Sequence, residues 1–138
     1  MRFMMFIKVQ SGDENFEPTA EDVAAMGRYN EELTKAGVLL ALDGLQPPSQ
    51  GAVVTFGAGG APSVVDGPFA EAKEVVGGYW TIQVKDRDEA IEWAKRVPAQ
   101  EGTTIELRRV FELSDFPADV QEAAGELSVR PPEQTSAQ

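Results

Sequence analysis

The sequence predicts an α+β fold, in which one antiparallel β-sheet is covered by helices on one face in the ferredoxin-like βαββαβ order with an extra β-hairpin. Three observations predict it. Strand patterns and helix patterns alternate along the chain, glycines and prolines punctuate the elements, and polar capping residues precede the helices. A chain of 138 residues, of which 42% are hydrophobic, fits one domain with a single core.

The first half of the unit begins with a central strand. Residues 2–10 form an apolar run with large apolar side chains on both faces, as burial on both sides requires. Thr19 is a favourable N-cap for a helix over residues 20–36, and Gly37 can end that helix in a left-handed conformation. Residues 38–45 then predict the second strand.

A glycine-rich hairpin and a long strand follow. The glycine cluster at residues 57–61 separates short apolar runs at residues 52–56 and 63–66, which predicts a β-hairpin. Residues 75–85 alternate as a strand. Its two faces carry Trp80, Ile82 and Val84 on one side, and Tyr79, Thr81 and Gln83 on the other.

The second half closes with a helix and a strand. Asp86 caps a helix that ends before Pro98. The alternation over residues 103–110 predicts the last strand of the sheet. We therefore expect a domain at residues 1–113 and an extension at residues 114–138.

The extension differs in composition from the domain. Residues 116–127 predict a short helix, and residues 128–138, with two prolines and many polar side chains, predict a disordered tail.

The uncovered face of the predicted sheet indicates self-association. A single copy would leave Tyr79, Thr81 and Gln83 in water beside apolar groups of the first strand. Pairing two sheets face to face would bury these groups, so we expect a homodimer.

Composition excludes several classes of function. The chain has no histidine and no cysteine, so imidazole bases, thiolate nucleophiles and the commonest transition-metal ligands are missing. No spacing of carboxylates suits magnesium or calcium, and we expect neither metal nor cofactor. The net charge of −11 predicts no binding to nucleic acid or anionic lipid. The apolar segments are short and no signal peptide is evident, which predicts a cytoplasmic protein without a membrane span.

Several short motifs occur together in the central part of the chain. They are Asp66-Gly67-Pro68-Phe69 with the following Ala-Glu-Ala-Lys-Glu, Gly77-Gly78-Tyr79-Trp80, Asp88-Glu89-Ala90 with Trp93-Ala94, Tyr29-Asn30-Glu-Glu-Leu33, Ala36-Gly37-Val-Leu-Leu40 and Gly44-Leu45-Gln46-Pro47. This set resembles the DGPF-motif branch of the YCII-related proteins over about residues 1–113.

The resemblance implies a dimeric α+β barrel, a fold also used by small cofactor-independent isomerases, dehydrochlorinases and monooxygenases. It also implies a regulatory or stress context, because genes of this branch often neighbour alternative sigma factors. The histidine and aspartate proposed as the catalytic dyad of related enzymes fall here near Tyr29 and Val97. Neither catalytic residue is present, so that mechanism does not transfer.

The candidate site residues each have a structural alternative. Asp66 is the candidate catalytic acid or base, or else a turn residue that accepts hydrogen bonds from following amides. Tyr29 and Asn30 lie on or beside the apolar stripe of the first helix, where their polar groups need a ligand or a backbone partner. Tyr79 and Arg108 could hold an aromatic or anionic substrate, or could serve a dimer interface.

Three functions therefore remain open. The first is a homodimer that binds a small molecule or acts as an accessory regulatory module. The second is a cofactor-independent isomerase, lyase or oxygenase acting on a small aromatic or carboxylate substrate. The third is an interaction protein for a transcription factor.

Gly77 and Gly78 indicate either close ligand approach or a β-bulge.

Overall fold

The computed structural model describes residues 1–10, 17–67 and 73–126. Its strands and helices are β1 (Arg2–Gln10), α1 (Ala20–Lys35), β2 (Leu39–Gly44), β3 (Ala52–Phe56), β4 (Pro62–Asp66), β5 (Glu74–Gln83), α2 (Arg87–Lys95), β6 (Thr104–Arg109) and α3 (Ala118–Glu126). The predicted α+β class with ferredoxin-like order and an extra hairpin is confirmed.

The main sheet has the strand order β2-β5-β1-β6, and every neighbouring pair is antiparallel. Without the hairpin strands this is the order expected of a βαββαβ unit, with the first strand in the centre beside the last one. Within the described residues, strands β3 and β4 pair only with each other, as a separate two-stranded sheet.

The core lies between one face of the main sheet and the helices α1 and α2. Strand residues that are two apart point to the same side, so Phe3 and Met5 of β1 lie beside Trp80 and Ile82 of β5 on this face. Helix α1 adds Leu33, which is fully buried. We call this surface the helix face of the sheet.

The helices begin where the sequence predicts. Thr19 and Asp22 form a reciprocal capping box, because each backbone amide donates to the other residue's side chain. Asp86 caps α2 by accepting a hydrogen bond from the amide of Glu89. Gly37 follows α1 with a φ of 73°, a left-handed conformation that glycine adopts without a steric penalty.

A β-bulge interrupts β5 at the pair Gly77-Gly78. Ile7 pairs with Gly78 and Lys8 with Val76, so Gly77 is the extra residue on the bulged strand. A Cβ atom at Gly78 would stand 2.9 Å from the backbone oxygen of Asp43, which is closer than Cβ atoms approach. The glycine pair therefore forms a β-bulge, as one of the two interpretations predicts. The group that approaches Gly78 closely is the backbone of strand β2.

The opposite surface of the main sheet, which we call the open face, is the one on which α1 and α2 do not pack. Apolar and polar residues alternate there with the core residues: Met4 and Phe6 on β1, Tyr79 and Thr81 on β5, and Arg108 on β6. Lys8 crosses this face to Glu74 and Glu106, at 3.2 and 3.4 Å. A surface of this composition is only half-buried within one copy of the chain.

Helix α3 lies within the segment for which a short helix is expected. Before it, Phe111 stacks on Phe116 with ring centroids 4.9 Å apart. The predicted disordered tail at residues 128–138, and Pro68 and Phe69 of the DGPF motif, lie outside the described residues. Among the residues that are described, no helix has the length and apolar character needed to cross a membrane.

Candidate functional site

A pocket of about 390 Å³ opens between α1 and the end of the main sheet where β2 finishes and β5 begins. Apolar side chains from both layers line it, including Ile7 of β1, Met26 of α1 and Leu42 of β2. Gly77 and Gly78 form part of its floor, and because they have no side chains they leave this end of the sheet uncovered. The volume is within the range of small-molecule sites.

A wider compartment of about 810 Å³ continues on the other side of α1, toward the loop between α2 and β6. The two compartments share Ile7, Val9, Pro18, Met26 and Asn30. We call the two together the α1 cleft.

Asn30 supplies the main polar side chain in the shared part of the cleft. Its Oδ1 accepts a hydrogen bond from the indole Nε1 of Trp80 at 2.8 Å. An indole N–H can only donate, so this bond fixes which end of the amide faces Trp80. Among the described residues Nδ2 has no hydrogen-bond partner, so it is the group that a ligand acceptor can use.

Tyr29 is a packing residue rather than part of the cleft lining. Its hydroxyl donates to the backbone oxygen of Trp93 at 2.8 Å, and its ring meets Trp80 edge to face at 5.8 Å. Burial raises the pKa of Tyr29 to about 12. This side chain therefore joins α1 to α2, and Val97, at the other position of the missing dyad, is also buried.

Tyr79 reaches the edge of the pocket, but its side chain lies on the open face, opposite to Trp80. Its hydroxyl donates to Asp43 Oδ2 at 2.6 Å. This hydrogen bond raises the pKa of the Tyr79 phenol, since it stabilises the protonated form. Tyr79 and Asn30 therefore border the same pocket while their side chains occupy different faces of the sheet.

Arg108 and Asp66 lie outside the lining of both compartments. Arg108 is exposed on the open face, opposite Met4 of the neighbouring strand. Asp66 is exposed at the end of β4, where it pairs with Ala52 of the hairpin. The five candidate residues thus fall into three places: the helix layer, the open face and the hairpin.

The charge around the cleft is acidic or neutral. Asp22 and Glu101 border the wider compartment, whereas Asp43 borders the smaller pocket with its carboxylate bonded to Tyr79 on the open face. None of the described lining residues is a lysine or arginine. Asp22 is also engaged in the capping box of α1, so its carboxylate is already partly satisfied. Among the described residues no three carboxylates lie together in a way that could hold a metal ion.

Two functional contacts escape sequence reasoning. The bond between Trp80 and Asn30 joins residues 50 positions apart, and the bond between Tyr79 and Asp43 joins residues 36 apart. Asp43 and Tyr79 are directly opposite each other on β2 and β5, so the second contact follows from the register of these two strands and not from a local pattern.

The fold and the α1 cleft define a small α+β protein with a ligand-sized pocket between its sheet and its first helix. A family model described as the YCII-related domain matches residues 1–114, and the chain belongs to this family. The resemblance seen in the sequence is confirmed at the level of the family, whereas membership of the DGPF branch stays a prediction.

A curated relative is an uncharacterized protein of Rhizobium meliloti (strain 1021), which is 33% identical over 82 residues. The match covers 59% of this chain and 63% of the relative, so the chain spans less than two thirds of that protein's length.

Proposed function

We propose that this protein binds an uncharged, mainly apolar small molecule in the α1 cleft. The observation that carries the proposal is the fixed amide of Asn30, whose Oδ1 is held by Trp80 so that Nδ2 can serve a ligand. An apolar pocket with one oriented polar group is typical of small-molecule sites. The ligand would present an acceptor such as a carbonyl to Asn30 and apolar surface to Ile7 and Met26.

The charges favour a ligand without an anionic group. A carboxylate in the wider compartment of the cleft would lie near Asp22 or Glu101, and it would have no cationic partner among the described lining residues. Arg108, the residue expected to hold such a group, is on the opposite face of the sheet. Of the aromatic or carboxylate substrates expected from the sequence, the proposal therefore retains the uncharged aromatic ones.

Two related fluorescent probes test the charge preference. N-phenyl-1-naphthylamine is uncharged, and 8-anilinonaphthalene-1-sulfonate has the same aromatic skeleton with a sulfonate. We expect the uncharged probe to bind at least about tenfold more tightly, because the sulfonate would be desolvated near carboxylates. Equal binding of the two probes, or binding of the sulfonate alone, would contradict the proposal.

Filling the cleft tests where the probe binds. Met26→Trp places a large side chain in the part shared by the two compartments, and the expected result is loss of probe fluorescence. Thr34→Trp is the control, because Thr34 is exposed on the same helix and lines neither compartment. If both variants bind the probe as the unmodified protein does, the α1 cleft is not the site.

Asn30→Asp tests the polar contact. The substitution keeps an acceptor for Trp80 but replaces the Nδ2 donor by an oxygen. We expect binding of 6-propionyl-2-(dimethylamino)naphthalene, an uncharged ketone probe, to weaken about tenfold, and binding of N-phenyl-1-naphthylamine to change less. A ketone probe that is indifferent to the substitution would show that Asn30 does not contact the ligand.

We also propose that the protein is a homodimer that pairs through the open face. Support comes from Met4 and Phe6, large apolar side chains that stay half-buried on the face of the sheet opposite α1 and α2. Phe6→Lys should lower the mass measured by light scattering on a sizing column, whereas Val23→Lys, an exposed position on α1, should not. An unchanged mass for Phe6→Lys would exclude the open face as an interface.

The remaining expectations stay predictions. Asp66 as an acid or base would need a substrate at the hairpin, since the described structure gives it no shared pocket with Asn30. A regulatory role beside a sigma factor predicts a salt-dependent partner in a pull-down. The cytoplasmic location is tested by fractionation of cells that express the tagged chain.

A further inference from the structure

The β3–β4 hairpin is an isolated, fully exposed ribbon. All five residues of each strand are exposed, and the two strands form a sheet of their own beside the main one. A hairpin of two strands is only marginally stable in water unless one of its faces is covered. The hairpin nevertheless carries five large exposed apolar side chains: Val53, Val54, Phe56, Val64 and Val65.

The two faces of the hairpin differ. Val54 pairs with Val64, and Phe56 pairs with Pro62, so these four residues share one surface, which we call the Phe56 face. The pair of Ala52 and Asp66 continues this surface at the base of the hairpin. The reverse surface pairs Val53 with Val65 and Thr55 with Ser63, and we call it the Thr55 face. Ser63 on that face donates its hydroxyl to the backbone oxygen of Thr55, as a solvated surface permits.

The two most exposed large apolar side chains of the hairpin belong to the Phe56 face, although Val54 of that face is about as exposed as Val65 of the other. On the Phe56 face, Phe56 is 71% exposed and Val64 is 66% exposed. On the Thr55 face the two valines share the surface with hydroxyl groups. The Phe56 face is therefore the more apolar surface and the one that gains more from being covered.

Apart from Asp66 at the end of β4, the hairpin carries no charged residue in a strongly acidic chain. No charged residue occurs between Asp43 and Asp66, although a quarter of the residues in the whole chain are charged and the net charge is −11. Two copies of the protein repel each other through most of their surfaces. The part of the hairpin between Val53 and Val65 lets two copies approach without bringing like charges together, whereas Asp66 stands at the base of the hairpin.

We propose that the Phe56 face packs against the Phe56 face of a second copy of this chain. Such a contact is isologous, because each copy presents the same self-complementary surface to the other across a twofold axis. Two stacked sheets of this kind place their apolar side chains between layers about 10 Å apart. Each hairpin then gains the covered face that a two-stranded ribbon lacks.

The hairpin contact is separate from the proposed open-face dimer and adds to it. Four side chains on each copy provide much less than the roughly 800 Å² per partner of a standard interface. The hairpin contact alone would be weak and dependent on concentration. It becomes strong when other surfaces of the same two copies, or of two dimers, are already held together.

Two lysine substitutions on neighbouring positions of β3 test the proposal. Val54→Lys places a charge on the Phe56 face, and Val53→Lys places the same charge on the Thr55 face of the same strand. We expect Val54→Lys to raise the dissociation constant of the hairpin contact by roughly 100-fold or more. The twofold symmetry places two substituted lysines, one from each copy, in the same contact. Val53→Lys should change it by less than about threefold.

The measurement is light scattering on a sizing column over a range of protein concentrations. The expected result is that the Val54→Lys protein has a lower mass than the Val53→Lys protein at the highest concentrations. Equal masses for these two variants overturn the proposal, and so does an unmodified protein whose mass equals that of one chain at every concentration. Phe6→Lys reports on the open face independently, so the two interfaces can fail separately.

Single cysteines provide a second measurement that does not depend on a mass difference. The chain has no cysteine of its own, so Val54→Cys and Val53→Cys each introduce one unique thiol. With a short bis-maleimide cross-linker, Val54→Cys should give a covalent pair of chains several times faster than Val53→Cys. Faster cross-linking of Val53→Cys would overturn the proposal, as would cross-linking at neither position, which would assign the Phe56 face to another occupant.

Discussion

Strand β5 and the β3–β4 hairpin are built from similar residues but lie in opposite environments. Val84, directly after β5, is 5% exposed in the core, whereas Val65 of β4 is 55% exposed. Both segments match the local pattern of a strand. The difference shows that local pattern decides where strands form, while burial against a second layer decides how much each side chain stabilises the molecule.

The largest expected effect comes from one substitution made in both regions. Val84→Ala removes buried methyl groups and should lower the free energy of unfolding by about 2 kcal/mol. Val65→Ala removes the same groups from an exposed face and should change it by less than about 0.5 kcal/mol. Urea unfolding at one fixed protein concentration measures both values. Similar losses for the two variants would mean that the Thr55 face of the hairpin is covered.

A second comparison uses the two glycines at the bulge. In Gly78→Ala the new Cβ would meet the backbone oxygen of Asp43 at 2.9 Å, so β2 must move. We expect a loss of about 1.5 kcal/mol and weaker probe binding, because both strands border the cleft. In Gly77→Ala the nearest atom is at 3.8 Å, and little change is expected. Thermal unfolding measures the loss of stability in both variants. A larger loss for Gly77→Ala than for Gly78→Ala would contradict the assignment of Gly78 as the residue in close contact with β2.

The smallest expected effect concerns the contact between α1 and α2. Tyr29→Phe removes the hydrogen bond to Trp93 and should cost about 1 kcal/mol at neutral pH. Because burial raises the pKa of Tyr29 to about 12, the folded state favours the protonated phenol. That contribution is complete below pH ~10, where the unfolded phenol is still protonated, and is lost as the pH rises toward 12.

The phenylalanine variant supplies the control for this pH dependence. Unfolding measured between pH 9 and about 12 should show a steeper loss of stability in the unmodified protein than in Tyr29→Phe. Parallel curves for the two proteins would show that the loss of stability at high pH comes from lysines or Tyr79 and not from the Tyr29 phenol.

The sequence predicts the elements of the fold well because their signals are local. The capping residues Thr19 and Asp86 place the starts of both main helices, and the paired runs around the glycine cluster place the hairpin. The predicted and observed ends of the elements differ by one or two residues. For example, the second strand is predicted over residues 38–45, and β2 spans Leu39–Gly44. The strand order also follows, because it is the usual closure of a βαββαβ unit.

The candidate site is predicted less well because it depends on which face of the sheet each residue occupies. Tyr79 and Trp80 are neighbours in sequence, yet one points to Asp43 on the open face and the other to Asn30 under α1. The choice between a ligand and a backbone partner for Tyr29 is decided by a carbonyl in α2, 64 residues away. No local pattern contains that information.

The central position of β1 also affects how the chain folds during its synthesis. β1 leaves the ribosome before the other strands of its sheet, and its two neighbours in that sheet are β5 and β6. Phe3, for example, pairs with Ile82 on one side and with Arg109 on the other. β1, which carries six large apolar side chains, therefore remains unpaired until β5 and β6 have emerged, and chaperones can bind it during that interval.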